Sequence, residues 1–278
     1  MNLRDFEIGK PLPRGKYGCV YMARRKEDKK YFALKVFNCQ TENAYQRSVI
    51  QNEIKINLSL PRHPNLIQAY FGFDLNGERP CIGFELGFDN LYNLLSKQQR
   101  FDETSTKKII RDVLEGLSAA HQKDIAHLDI KPENIIGVRS NIGIDYKLAD
   151  WGHSTNRLVY GKLRGTLDYL SPEMVKGIMQ QEHEIKDGEE YHLTLYDPKK
   201  VDVWQIGILL YECLAGYPPF EMEEQSDTFR QIISADVSFP KHFSDQAKEL
   251  ITFMLNKDPD KRPSIEEIRA KAYFNFEN

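Results

Sequence analysis

His127-Leu128-Asp129-Ile130-Lys131-Pro132-Glu133-Asn134 is the stretch that decides how this chain is read. Phosphoryl transfer needs a carboxylate to orient an attacking hydroxyl and accept its proton. It also needs a cation beside the moving phosphate and oxygen ligands for magnesium. Asp129 suits the base, Lys131 the cation and Asn134 a metal ligand. Further along, Asp150-Trp151-Gly152 follows a short strand ending Lys147-Leu148-Ala149 and supplies a second carboxylate for Mg²⁺ bridging the phosphates. Either segment alone fits an ordinary loop with an Asx turn. In this order and with these separations, they have no comparable bland explanation.

Working back towards the N-terminus, Gly15-Lys16-Tyr17-Gly18-Cys19-Val20 lies between two strand-like runs. A turn with two glycines lets backbone N–H groups approach phosphate oxygens with no side chain in the way, although a plain hairpin turn would look the same. Its weight rises because Ala33-Leu34-Lys35 follows on the next strand. Lys35 is flanked by apolar residues, where an unpaired ammonium is costly, so it needs an anionic partner. Glu53 on the following helix is the candidate, and the pair would aim Lys35 at the ATP phosphates; a surface salt bridge is the blander alternative.

Around these segments the chain changes character. Short alternating apolar runs at Phe6–Leu12, Cys19–Arg24, Tyr31–Phe37, Leu66–Phe73 and Cys81–Glu85 predict five strands. One helix from about Glu42 to Leu60 interrupts them, with Val49, Ile50, Ile54 and Leu58 as its apolar positions. Beyond Gly87 helical spacing dominates, as at Thr104–Gln122, where Ile109, Ile110, Val113, Leu114 and Leu117 share a face. Further helices are predicted near Lys199–Ala215, Phe229–Ser234, Ser244–Leu255 and Ser264–Lys271. The acidic stretch Gln180–Tyr196 is expected to be an exposed loop. The expectation is one α+β domain over 1–278: a small β-rich lobe (1–86), a joint at 85–90 and a larger helical lobe (91–278).

Composition narrows the class without naming it. With 41% hydrophobic and 28% charged residues, the chain is neither disordered nor fibrous. A formal net charge of −3 gives no reason to invoke nucleic acid or an anionic membrane surface. The four cysteines (Cys19, Cys39, Cys81, Cys213) show no CxxC or metal spacing and read as free thiols of a reducing compartment. No apolar run is long enough to span a bilayer, so a cytoplasmic or nuclear protein, monomeric by default, is expected.

From about Phe6 to Tyr273 the chain resembles eukaryotic protein kinases. Within that family it most resembles the Aurora kinases. The residues that carry this are Asp5-Phe6-Glu7-Ile8-Gly9, Gly15-Lys16-Tyr17-Gly18 and above all Gly165-Thr166-Leu167-Asp168-Tyr169-Leu170-Ser171-Pro172-Glu173. Cyclic-nucleotide-type kinases share Glu212-Cys213-Leu214-Ala215-Gly216-Tyr217-Pro218-Pro219-Phe220 closely.

The resemblance implies an active Ser/Thr protein kinase using ATP and Mg²⁺, with the cell-division role and the spindle or chromatin association of its relatives. It also implies residue roles. Val20, Ala33 and Ile136 would sandwich adenine, Glu85 and the backbone at Gly87 would meet its edge, and Phe84 would act as gatekeeper. Thr166 would brace Asp129 and Lys131. Glu133 and Glu212 would bind a substrate arginine, since carboxylates pair strongly with guanidinium, although Glu133 could also serve only its own loop. Asp202 would hold the catalytic loop, and Glu173 with Arg262 would form a buried pair.

Departures from the family pattern carry information too. Pro13 replaces a phosphate-loop glycine, Trp151 replaces Phe and needs an N–H partner, and Asn57 is polar where a larger apolar residue is usual. Leu128 stands where an arginine normally grips an activation-loop phosphate. Lys162 stands at the activating threonine, and Asn52 where a basic residue precedes Glu53. Phosphate and receptors are absent as a set, so activity independent of loop phosphorylation is expected, with Ser154, Thr155 and Tyr160 as the remaining acceptors. An activating partner protein that orders the loop is the alternative. Pro13, Leu128 and Trp151 also support a pseudokinase scaffold, while ATPase activity without peptide transfer would point to a small-molecule kinase of related fold.

Overall fold

Phe6–Pro11 (β1), Gly18–Arg25 (β2) and Tyr31–Phe37 (β3) are followed by helix Ala44–Ser59 (α1) and strands Ala69–Phe73 (β4) and Cys81–Phe84 (β5). The strands form one antiparallel sheet in the order β1-β2-β3-β5-β4. The computed structural model describes residues 1–12, 18–38, 44–74, 79–141, 143–158, 161, 165–187 and 194–274. Pro13, Gly15, Cys39, Tyr160, Lys162 and the stretch 188–193 therefore lie outside the described residues.

The larger lobe begins with a two-residue strand, Asp89–Asn90 (β6), and continues through helices Leu91–Gln98 (α2) and Glu103–His121 (α3). Strands Ile135–Ser140 (β7) and Gly143–Leu148 (β8) complete a second sheet in the order β6-β7-β8. Helices Pro172–Asp187 (α4), Pro198–Ala215 (α5), Gln225–Ser234 (α6), Asp245–Met254 (α7) and Ile265–Arg269 (α8) follow. The two-lobed α+β architecture agrees with the sequence pattern, and the predicted face of α3 is wholly buried. Helix starts have local chemical causes. Asn90, Asp102, Asp197 and Ser244 each accept a first-turn backbone N–H, and Pro198 occupies the first turn of α5. Gly216 ends α5 at φ +91°, where a Cβ would meet the Gln99 carbonyl oxygen at 2.2 Å.

Three expectations need correction. The strand over Leu66–Phe73 begins at Ala69, because the preceding residues pair elsewhere. Leu148 N donates to Asn65 O and Ile67 N to Leu148 O, both at 2.9 Å, tying this segment to β8. Leu58 on α1 is 47% exposed, while Ile56, Asn57 and Leu60 are buried. Helix α1 is gripped on two sides: Ile50 and Ile54 pack under the sheet, while Ile56 and Leu60 join the large-lobe core. Finally, the predicted loop from Gln180 is helical as far as Asp187. Its Glu, Gln and Lys residues are good helix formers, so polarity there did not by itself mark a loop.

The core of the large lobe is α5, which is buried on nearly every face from Val201 to Leu214. Each fully buried Leu or Ile stabilises the lobe by roughly 1.5–3 kcal/mol. Packed so tightly, α5 gives the catalytic loop a rigid support, and Asp202 and Gln205 reach that loop from it. Among the described residues no helix is long and apolar enough to cross a membrane, and Cys19, Cys81 and Cys213 are free thiols.

Candidate active site

Strand pairing sets Lys35 opposite Val20 on one side and Ile82 on the other. Its ammonium is ion-paired with Glu53 of α1, which is 2% exposed. A second pair joins Lys35 Nζ to Asp150 Oδ1 at 3.0 Å. Burial works against charge on Lys35, but Glu53 and Asp150 outweigh it and hold the lysine above its usual range. Lys35 in turn is the main reason that the Asp150 carboxyl lies below its usual range. Asp150 takes a left-handed conformation (φ +57°), and its side chain remains 50% exposed towards the cleft.

The catalytic loop is assembled by α5. Asp202, fully buried, accepts Leu128 N at 2.7 Å and both His127 N and His121 Nε2 at 2.8 Å. Gln205 accepts Ile130 N at 2.9 Å and donates to Leu128 O at 3.2 Å. These bonds pin both backbone polar groups of Leu128, which has φ +65° and costs energy for a residue with a Cβ. Asp129 follows at once. Lys131 Nζ is 3.1 Å from Asp129 Oδ2 and donates to Thr166 Oγ1 at 2.6 Å, while Thr166 Oγ1 donates to Asp129 Oδ1 at 3.3 Å. Asn134 Nδ2 donates to the Asp129 backbone oxygen at 2.8 Å and to Oδ2 at 2.9 Å. The structure thus brings Asp129, Lys131, Thr166 and Asn134 into one cluster.

Asn134 spends its amide N–H groups on Asp129, so its amide oxygen is the atom for a cation, with the Asp150 carboxylate as a second ligand. Among the described residues no group of three or more His, Cys, Asp or Glu could hold a metal by itself. This donor set fits Mg²⁺, which keeps waters and takes one or two carboxylates plus substrate phosphates.

On the nucleotide side, Val20, Ala33 and Ile136 are half-buried. Gly87 lies so close to β7 that a Cβ would meet Ile136 Cγ2 at 2.1 Å, and a Cβ on Gly18 would meet Val36 O at 2.5 Å. The Glu85 carboxylate is committed to Lys147 Nζ at 2.7 Å and its N–H to Gln68 O at 2.9 Å. On the peptide side, Glu133 is exposed and Glu212 is buried, accepting the Tyr169 hydroxyl. Burial pushes the Glu212 carboxyl up to about 7; the Tyr169 bond pulls it down, and Glu133, Asp168 and Glu221 add repulsion.

At Ser154 and Thr155 the activation segment is joined to the rest by uncharged groups. Ala126 and Thr155 exchange backbone bonds at 2.9 and 3.1 Å, Ser154 Oγ donates to His127 O at 3.2 Å, and Asn52 Nδ2 donates to Ser154 O at 3.1 Å. Ser154 and Thr155 are 1% and 4% exposed, so neither is presented to a modifying enzyme in this conformation. Trp151 fills an apolar slot with its ring edge-on to His127, centroids 4.5 Å apart. The partner expected for its indole N–H is missing among the described residues.

Several site residues were not marked by the sequence pattern: Gln205, Tyr169, Lys147 and His153. The last places Nδ1 3.8 Å from Asp129 Oδ2. Gln205 lies one helical turn from Asp202, and that spacing was the available signal.

A lysine clamped between two carboxylates, and a base braced by Lys, Thr and Asn, at the junction of a β lobe and a helical lobe define a phosphotransferase of the protein kinase class. Comparison with known proteins agrees. The family described as "Protein kinase domain" matches residues 6–274. Aurora kinase B of Mus musculus is 36% identical over 97% of this chain and 73% of its own length. Aurora kinase A-B of Xenopus laevis is 38% identical over 94% of the chain and 59% of its own length, and Aurora kinase B of Danio rerio 35% over 96% and 78%. The chain belongs to the protein kinase domain family and, within it, to the Aurora kinases. Its enzyme class is that of ATP-dependent protein serine/threonine kinases, which use Mg²⁺.

Proposed function

We propose that this chain transfers the γ-phosphate of ATP to Ser or Thr hydroxyls of proteins, prefers arginine near the acceptor, and does so without phosphorylation of its activation loop. The observation that carries the proposal is simultaneous assembly of the two halves of the site, Lys35–Glu53–Asp150 and Asp129–Lys131–Thr166–Asn134. Asp129 orients the substrate hydroxyl and receives its proton. The hydroxyl oxygen bonds to the γ-phosphorus as the bond to the bridging oxygen breaks, and ADP leaves with that electron pair. Lys35 holds the nucleotide phosphates and Lys131 faces the charge on the moving group. Asn134 and Asp150 would hold magnesium, which would supply positive charge against the phosphates. Gly18, and by the family pattern Gly15, would cover the phosphates. Adenine lies between Val20, Ala33 and Ile136, against the backbone rather than the occupied side chain of Glu85 and against Gly87.

The arginine preference rests on Glu133 and on Glu212, a buried carboxylate held by a tyrosine hydroxyl. Independence from loop phosphorylation rests on Leu128 and Asn52, uncharged where a phosphate would be read, and on the neutral bonds at Ser154. A role in cell division is proposed from family membership.

The test is transfer of labelled γ-phosphate from Mg-ATP to a Ser peptide with arginine near the acceptor, before and after phosphatase treatment. Wild type should transfer in both states, and Asp129→Asn should lose roughly 10²–10⁴-fold. No transfer with Mg-ATP still bound would make the chain a scaffold. Equal use of an arginine-free peptide would overturn the preference. Loss of activity after phosphatase, with a phosphosite between Asp150 and Glu173, would overturn the activation reading.

A further inference from the structure

Helix α1 makes its pair with Lys35 through Glu53, and the residue immediately before it, Asn52, reaches in another direction. Successive residues on a helix point about 100° apart, so groups fixed at 52 and 53 together resist rotation of the helix about its own axis. Asn52 Nδ2 donates to the Ser154 carbonyl at 3.1 Å. The acceptor is held independently of α1. Ser154 is buried, its hydroxyl donates to His127 O at 3.2 Å, its N–H to Trp151 O at 3.3 Å, and the next residue is paired with Ala126. The Ser154 carbonyl is therefore a fixed post in the large lobe, and Asn52 is the line from α1 to it. Asn57 gives its amide to the Glu53 carbonyl of its own helix at 2.9 Å and, among the described residues, makes no such link.

We propose that Asn52 is a positioning residue: its side-chain amide ties α1 to the start of the activation segment and so keeps Glu53 on Lys35. The tie is neutral, which is why it operates without a phosphate. The inference rests on the phosphotransfer reading, and its test separates the two.

Asn52→Asp keeps the side-chain size but sets an oxygen against the Ser154 carbonyl oxygen, whereas Asn52→Gln keeps the donor. Because Asn52 lies on the exposed side of α1, both variants should fold with melting temperatures near that of wild type. Three readings are taken on each: kcat and KM for Mg-ATP, thermal melting, and amide hydrogen exchange. Asn52→Asp should lower kcat about tenfold, the equivalent of one weak polar tie. It should speed exchange over residues 151–155 and leave Ile130, pinned by Gln205, unchanged. Asn52→Gln should recover most of the activity. Wild-type kcat and wild-type exchange in Asn52→Asp would overturn the proposal, as would faster exchange spread evenly through the chain. If wild type transfers no phosphate, the phosphotransfer reading falls, and exchange over 151–155 still decides the tie.

Discussion

Each lobe pairs a glutamate with a cation largely out of solvent, and the pairs are built differently. In the large lobe, Arg262 makes two bonds of 2.7 Å to the Glu173 carboxylate, gives Nε to Asn256 O at 2.8 Å and Nη1 to Lys200 O at 2.9 Å, and lies against the Trp204 ring. Its planar fork is almost fully spent on fixed protein groups. Lys35 has three N–H donors and directs them at Glu53 and at Asp150, which itself opens onto the cleft. One pair is closed by its own lobe. The other is completed by what enters the site. Burial alone does not separate a structural ion pair from a catalytic one; the fate of the remaining donors does.

The sharpest way to break this contrast is to exchange the cations. Arg262→Ala leaves Glu173 without its cation and should cost about 3–5 kcal/mol in urea unfolding. Lys35→Arg keeps a charge beside Glu53, so it should melt close to wild type yet lose at least about tenfold in phosphate transfer, because a planar fork cannot replace a point ammonium. A large stability loss for Lys35→Arg, or wild-type stability for Arg262→Ala, would mean that the two pairs do the same job.

A smaller effect is expected at Leu128. This side chain is 2% exposed within the large-lobe core. Leu128→Arg, which restores the usual family residue, should destabilise the chain by about 2–3 kcal/mol rather than activate it, since a guanidinium there has to leave the core or stay buried. Melting and transfer assays on that one variant check both halves.

The smallest effect concerns another buried carboxylate, Glu212, which among the described residues meets a tyrosine hydroxyl instead of a cation. Its folded-state value of about 7 lies above the ordinary 4.5. Between those values the folded chain keeps a proton that the unfolded chain releases, so stability falls as pH rises from about 4.5 to about 7 and levels off above. Glu212→Gln should remove that fall, gaining about 1–2 kcal/mol relative to wild type between pH 5 and pH 8, while transfer to arginine peptides weakens. Parallel unfolding curves at the two pH values would show that Glu212 is ionised throughout.

Much of this site was legible in the order of residues along the chain. Lys35 stands out as a charge on an apolar strand that needs a partner such as Glu53, while Asp129, Lys131, Asn134 and Asp150 stand out by their order and separations, which a single sequence shows. The five strands and the long helices were legible for a related reason, because alternation and 3.6-residue spacing are local. Helix α2 and the start of α4 are short amphipathic stretches, and segment 65–67 pairs with a strand far along the chain, so local pattern could not mark them.

The sequence by itself determined the family, the class of chemistry and the residues able to perform it, because those depend on residue type and spacing. Tertiary structure decided how those residues are held. Gln205 and Asp202 shape the catalytic loop from a buried helix, Tyr169 occupies Glu212, Lys147 takes the Glu85 carboxylate, and Asn52 reaches Ser154. Each of these contacts joins residues dozens of positions apart through a single hydrogen bond or ion pair. Such bonds leave no periodicity in the chain and exist only once distant segments have packed, most of them within the large lobe and one, Asn52 to Ser154, between the lobes.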